Sequence, residues 1–388
     1  MRVLIYTGKG GVGKTSIAAA TAAFLADRGK RVLIMSTDQA HSLSDSFDIA
    51  IGAEPTSISD GLDGLEIDPV YESKKAWGNL RDYLKQIISE KANGGIEAEE
   101  VLLFPGLDEL FSMLRILDGM DSGRYDVIVV DCAPTGETLS LLRYPERLGV
   151  LADKIIPLAR NFTAAFGGLV SRTTSVPKPR DEVFTEFDKL IRRLNRLQDI
   201  LRDRTISDMR IVMTPERIVM EEARRSFTWI NAFDYGIDAV YINKIYPESA
   251  LEGYFSGWNE MQKEMLKKAE ESFGDCKVFS LLLQQEEVRG IEMLRTIAQE
   301  LYKTSDPYDV FCKNPAFRME DNQGSRYFIV TLPYAKKEEL EVFKSGEDLI
   351  LTVRNETRRF HLPDRVSRRN LSDWTFTEGE LRIQFDYD

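Results

Sequence analysis

Sulfur and imidazole are scarce in this chain. Its 388 residues hold three cysteines, Cys132, Cys276 and Cys312, and two histidines, His41 and His361. The cysteines are far apart and form no C-x-x-C pair, which excludes a disulfide scaffold and a structural zinc site. That usage suits a reducing compartment, the cytoplasm or its plastid counterpart. Two histidines are too few for a His-rich metal centre. No run of about 18 apolar residues occurs, so no segment is expected to enter a bilayer directly. No leader-like segment precedes the first apolar run, Val3-Leu4-Ile5-Tyr6. Basic charge is in deficit too. Against 63 Asp and Glu stand 51 Lys and Arg, a formal net charge of -12, which disfavours nucleic acid and anionic lipid as partners. What the chain does have is core: 43% of its residues are hydrophobic, and its length suggests two or three domains.

Short β-branched runs alternate with helical patterns. The expected strands are Arg2–Thr7, Arg31–Ser36, Asp126–Asp131, Arg210–Thr214, Asp238–Asn243 and Lys277–Leu281. Val127-Ile128-Val129-Val130 is apolar without alternation, as in a strand buried on both faces. Strand–helix alternation predicts an α/β fold with a mostly parallel sheet and right-handed crossovers. Two helix-rich insertions interrupt it, at about 68–118 and 162–208. Leu107, Leu110, Phe111, Leu114 and Leu117 form a helical stripe in the first. Leu190, Ile191, Leu194, Leu197 and Leu201 form one in the second. Such stripes are either core or the lining of a groove for an apolar client, and periodicity does not separate the two. Residues 1–304 thus form one domain. Turn signals at Ser305-Asp306-Pro307, Asn314-Pro315 and Asn322-Gln323-Gly324 mark 305–325 as a linker. Beyond it the period becomes two: Leu349, Leu351 and Val353, then Leu381, Ile383 and Phe385, alternate with more polar residues. Residues 326–388 therefore read as a small all-β sandwich.

Gly8-Lys9-Gly10-Gly11-Val12-Gly13-Lys14-Thr15 fits G-x-x-x-x-G-K-[ST] and lies between a strand and an amphipathic helix, as its mechanism requires. Its glycines let backbone N–H groups approach phosphate, and the helix that opens with Lys14, Thr15 and Ser16 adds partial positive charge. Lys14 is expected on the β- and γ-phosphates, and the Thr15 hydroxyl on Mg2+. Asp131 ends a central strand, where a carboxylate can orient Mg2+, often through water. The Gly136 N–H that follows is placed to sense a γ-phosphate. Asp38 follows the second strand. It reads equally as a group that orients attacking water and as a loop or N-cap aspartate.

Three segments together, Lys9–Thr15, Thr37–Asp45 and Asp131–Thr138, resemble the P-loop, switch I and switch II of the ArsA/GET ATPases. That family includes arsenite-pump ATPases and ATPases that target tail-anchored membrane proteins. The similarity continues through Thr214-Pro215-Glu216, Ile242-Asn243-Lys244 and Glu286–Gly290, about three hundred residues in all. The resemblance implies a Mg2+-dependent ATPase that works as a homodimer closing over its nucleotides. It implies that Asp38 positions the catalytic water, that Lys9 reaches the partner's ATP, that Asn243 reads adenine and that the loop from Ser280 to Leu283 flanks the base. It implies a hydrophobic protein client or a membrane transporter as partner, or a holdase with little turnover. Gly346–Leu349, Arg358–Pro363 and Glu378–Ile383 resemble an α-crystallin-like domain attached to one subgroup of these ATPases. The chain departs from the family at several points. It has no subunit-joining C-x-x-C, a single P-loop and no metalloid cysteine triad. Gln39 and Cys132 stand where proline and threonine are usual.

Overall fold

Eight strands form the central sheet of the computed structural model, which describes residues 1–37, 42–75, 107–132, 181–273, 276–312, 315–322, 325–354 and 356–387. These are β1 (Arg2–Thr7), β2 (Val32–Ser36), β3 (Thr56–Ser59), β4 (Leu62–Glu66), β5 (Val127–Asp131), β6 (Ser207–Met213), β7 (Ile237–Ile245) and β8 (Lys277–Leu282). Their order across the sheet is β3-β4-β2-β5-β1-β6-β7-β8. Every pairing is parallel except β3 with β4. The mostly parallel α/β architecture expected from the strand–helix alternation is what forms. Strands β1, β2 and β5 are buried along their whole length, and their interiors, Val3–Tyr6, Val32–Met35 and Val127–Val130, are apolar, with polar groups confined to the ends. The hairpin β3–β4 was not anticipated. Its two strands are short and mix polar residues with Ile58, Leu62 and Leu65, and Gly61, with φ +73°, turns between them.

Helix α1 (Lys14–Asp27) lies on the sheet and is buried nearly all round through its alanines. The helices that follow it in the sheet domain include α2 (Ser42–Phe47), α3 (Leu107–Asp121), α4 (Asp181–Arg202), α5 (Arg217–Ala232), α6 (Gly257–Ser272) and α7 (Ile291–Leu301). In α3, Leu110, Phe111, Leu114 and Leu117 are buried; in α4, Leu190, Leu194, Leu197 and Leu201 are. All of them belong to the main core, so these stripes serve packing, and Phe111, Leu114 and Leu190 also line a cavity of about 320 Å3 rimmed by charged residues.

At the N-terminal ends of β1, β6 and β7, Arg2, Asp208, Arg210 and Asp238 are all buried. Arg2 pairs with Asp208 and lies 3.7 Å from Asp238. Arg210 Nε donates to Asp238 at 3.2 Å. Returning chain seals the group: Arg210 Nη2 donates to the Pro307 carbonyl at 2.7 Å and Arg2 Nε to the Tyr308 carbonyl at 3.2 Å. Burial first, then the neighbouring Asp238 charge, pushes the Asp208 carboxyl up to about 7, against the pull of both arginines.

The segment read as a linker is thus partly a strap under the sheet. It also carries a strand, β9 (Phe317–Asn322), paired antiparallel with β10 (Ser325–Thr331). Strand β9 falls inside the segment expected as a linker, so the linker expectation was too long; Phe317-Arg318-Met319-Glu320 alternates for only four residues before Asp321-Asn322, too few to reveal a strand. The sandwich has one sheet ordered β14-β15-β10-β9 and another ordered β11-β12-β13. Its further strands are β11 (Leu340–Ser345), β12 (Asp348–Val353), β13 (Glu356–His361), β14 (Asn370–Thr377) and β15 (Glu380–Asp386). Leu349, Leu351, Val353, Leu381, Ile383 and Phe385 all point into its core, as the alternation predicts.

The sandwich docks on the end of α5. Ala232 belongs to the core of the sandwich and Trp229 packs on it. Thr228 Oγ1 donates to the Pro333 carbonyl at 2.7 Å, and Arg358 Nη1 donates to the Ala232 carbonyl at 2.9 Å.

Candidate functional site

The glycine loop leaves β1 after Thr7 and is held tightly on one side. A Cβ on Gly8 would lie 2.2 Å from the Val212 carbonyl oxygen of β6. At Gly13, φ is +91° and a Cβ would lie 2.3 Å from Asn243 Nδ2, so this position accepts only glycine. Around Gly10 and Gly11 the space is open, which leaves room for phosphate against bare backbone. Lys14 is 7% exposed and its Nζ donates to the Lys9 carbonyl at 3.4 Å, across the mouth of the loop. No acidic residue occupies the first turn of α1, so the partial positive charge of the helix terminus is not neutralised there.

Thr15 and Asp131 meet. Thr15 Oγ1 donates to Asp131 Oδ2 at 2.6 Å, with Asp131 only 1% exposed. The register explains the meeting: Asp131 ends β5 between Tyr6 of β1 and Ser36 of β2, directly behind the loop. A hydroxyl and a buried carboxylate are hard oxygen donors, the set that suits Mg2+. The Thr37 N–H donates to the Asp131 carbonyl at 3.0 Å, tying the start of the Thr37–Asp45 segment to the same strand end. Asp38 and Gly136 lie outside the described residues. Cys132 is fully buried, consistent with a small packing residue.

Asn243, at the C-terminal end of β7, is brought to the loop itself. Its Nδ2 donates to the Val12 carbonyl at 2.9 Å, and its Oδ1 accepts from the Lys244 N–H at 2.8 Å. Lys244 adopts φ +57°, and its Nζ donates to the Gly11 carbonyl at 2.7 Å. The sequence reading missed this lysine as a loop residue, although its place directly after Asn243 was the available signal. Beside the loop opens a cavity of about 590 Å3 lined by Gly13, Ser16, Asn243, Leu281, Leu283 and Val288, among others. Asn243 and the Ser280–Leu283 segment, grouped on the sequence, therefore share one pocket rim with the glycine loop. The Glu286–Gly290 loop closes its far side and is laced to α2. Arg289 Nη2 donates to Asp48 at 2.6 Å, and the Gly290 N–H donates to the Ser46 carbonyl at 2.9 Å.

Lys9 turns away from Lys14. Its Nζ lies 3.7 Å from the Glu222 carboxylate on α5, in a pair with side chains 40% and 29% exposed. Large apolar side chains are exposed around the same edge. Among the described residues of the sheet domain, those exposed are Met1, Val70, Tyr71, Ile218, Tyr254, Phe255, Trp258, Leu282 and Leu283. All but Met1 lie at or beyond the C-terminal ends of β4, β6, β7 and β8.

Residues 1–303 match the family profile described as anion-transporting ATPase, and residues 324–385 match an HSP20-like domain found in that family. A protein of Prosthecochloris vibrioformis, provisionally named arsenical pump-driving ATPase, is 34% identical over all of this chain and 96% of its own. A similarly named protein of Aquifex aeolicus is 32% identical over 96% of each chain. The ATPase ASNA1 homolog 1 of Paramecium tetraurelia is 31% identical over 76% of this chain and 91% of its own.

Proposed function

The chain belongs to the anion-transporting ATPase family, ArsA/GET, in the form that carries a C-terminal α-crystallin-like domain, and from that premise we propose that it is a Mg2+-dependent ATPase acting as an ATP-gated homodimer for hydrophobic protein clients. The observation that carries the reading is the set of exposed Ile218, Tyr254, Phe255, Trp258, Leu282 and Leu283 around the edge that also bears the glycine loop. Within the set, Tyr254 packs edge-on against Phe255, and Phe255 and Trp258 both pack on Tyr246; exposed apolar rings gathered in this way mark a face that another molecule covers.

In this reading the loop amides and Lys14 hold the β- and γ-phosphates of ATP, while the cavity beside Asn243 takes the base. Thr15 and Asp131 would hold Mg2+, which supplies charge neutralisation at the phosphate oxygens. Asp38 orients the attacking water and accepts its proton. Lys9 leaves its own subunit to place positive charge on the partner's transferred phosphoryl group. Closing therefore needs ATP on both sides, and loss of the γ-phosphate releases the segments that follow Thr37 and Cys132.

A second reading, driving an anion transporter, is supported by the names of the bacterial relatives. Against it, Cys132 and Cys276 are buried and the three thiols stand apart, whereas a metalloid needs clustered soft ligands. The deciding experiment is capture of a co-expressed tail-anchored membrane protein by the Asp38→Asn chain in ATP. Capture that vanishes when the client's apolar tail is deleted supports client binding. No capture, with wild-type turnover rising on added arsenite, favours the transporter reading.

A further inference from the structure

We propose that helix α5 couples the β-sandwich to the glycine loop, with Glu222 as a positioning residue that holds Lys9 in the open chain. The inference rests on the reading of Lys9 as a group that serves ATP. One end of the argument is the Lys9–Glu222 pair at 3.7 Å. Both side chains are partly exposed, so water screens the pair and it is weak enough to break. The other end is the docking of the sandwich. Six residues after Glu222, Thr228 donates to the Pro333 carbonyl at 2.7 Å, and Trp229 and Ala232 pack with the core of the sandwich.

Between those two points α5 is continuous helix, and Ser226 Oγ donates to the Glu222 carbonyl at 3.0 Å within it. Six residues of helix span about 9 Å, too short and stiff to bend between the two contacts. Arg224, two residues after Glu222, lies 5.3 Å over the Tyr334 ring of the sandwich domain and donates to Ser272 of α6 at 2.6 Å. Tyr334 in turn packs on Phe227 and Phe273, with ring centroids 6.1 and 6.2 Å apart. The backbone of Glu222, and with it the reach of its carboxylate toward Lys9, is therefore set by the same rigid helix that seats the sandwich.

The consequence is a competition. A lysine ammonium held by Glu222 is not available to phosphate oxygens, and binding at the phosphate must first release it. Glu222 thus sets how much ATP is needed to mobilise Lys9, and the sandwich sets where Glu222 stands. A role for the β-domain follows, as a clamp on α5 in its own subunit.

The test uses the full chain, with steady-state ATP turnover and ATP-driven dimerisation as readouts. Glu222→Gln keeps the helix and removes the charge. It is expected to lower the half-saturating ATP concentration about two- to fivefold, with kcat moving less, and the difference should shrink at high salt. In a Lys9→Ala background the same substitution should change nothing. Thr228→Val, which unseats one contact of the sandwich, should move the half-saturating concentration in the same direction and be non-additive with Glu222→Gln. A Glu222→Gln chain that titrates like wild type overturns the proposal, as does an effect that survives in Lys9→Ala. A Thr228→Val effect that simply adds overturns the link to the sandwich. If Lys9→Ala itself leaves turnover and dimerisation unchanged, the reading of Lys9 fails and takes the coupling with it. If Lys9→Ala lowers both while Glu222→Gln is silent, only the coupling fails.

Discussion

At the N-terminal ends of β1, β6 and β7, two arginines and two aspartates are buried against one another; at the C-terminal ends of those strands, lysines ring a glycine loop and two of them stay in water. Arg2, Asp208, Arg210 and Asp238 are matched in number and capped by the carbonyls of Pro307 and Tyr308. Lys9, Lys14 and Lys244 all touch or border the loop, and Asp131 is already engaged by Thr15. One end spends its charge on holding the chain together. The other keeps lysines held by carbonyls or by one loose ion pair, and bare amides, for a ligand that is not part of the protein. The lesson is that the two ends should fail differently: substitutions at the sealed end should cost stability, and those at the open end should cost activity.

The largest effect is expected at Arg210. Arg210→Met would strand the Asp238 carboxylate and the Pro307 carbonyl in a dry interior. Breaking one side of a buried pair costs about 3–5 kcal/mol, read as a lower denaturation midpoint. ATP turnover per folded molecule should stay near wild type. If turnover fell while the midpoint held, the division between the two ends would be wrong. Asp131→Asn is the mirror image. The carboxamide still fits beside Thr15 but withdraws the negative charge, and kcat should fall by about 10²–10³-fold, the scale of losing one preorganised electrostatic group. Its thermal midpoint should move by no more than a few degrees.

How much of this contrast was legible beforehand differs between the ends for a physical reason. The open end is built from local signals. Lys9, Lys14 and Thr15 stand within seven residues, and glycine marks the positions where backbone must approach a ligand. Asp131 was legible because an uninterrupted Val127–Val130 run fixes where its strand ends. The sealed end was not legible. Arg2, Asp208 and Asp238 sit at strand starts, where charge ordinarily meets solvent, Arg210 stands mid-strand in β6, and the chain that buries them returns from residues 307–309. Nothing in Asp306-Pro307 distinguishes a strap from a linker. The α5–sandwich seat was hidden for the same reason, since its partners lie about a hundred residues apart.

A pH titration sharpens the contrast at intermediate size. The Asp208 carboxyl is raised from 3.8 to about 7 in the folded chain. Between those values the folded chain keeps a proton that the unfolded chain has released. Stability from this group is therefore full below about pH 4 and is lost as pH rises through about 7. Asp208→Asn should flatten that fall, by up to about 4 kcal/mol across the window, when denaturation midpoints of the two chains are compared at each pH. A difference that grows in the opposite direction would mean that Arg2 and Arg210, rather than burial, govern this carboxyl.

The smallest expected effect is also the one that separates two roles for a single residue. Asn243 spends its amide on the Val12 carbonyl and on the Lys244 N–H, yet it also lines the cavity beside the loop. As a tether it holds the loop for any nucleotide; as a base reader it distinguishes adenine from guanine. Asn243→Ala removes hydrogen bonds worth about 1 kcal/mol net, so half-saturating ATP should rise about fivefold. If the tether is the whole of its role, GTP should weaken by the same factor. If the amide turns to the base once nucleotide enters, ATP should weaken more than GTP, because the base edge that Asn243 recognises then loses its partner. The geometry favours the tether: rotating the amide toward the cavity would leave the Val12 carbonyl and the Lys244 N–H without their present partner. Equal loss for both nucleotides is therefore the expected result, and a collapse of the ATP preference alone would show that the loop gives up its tether to bind.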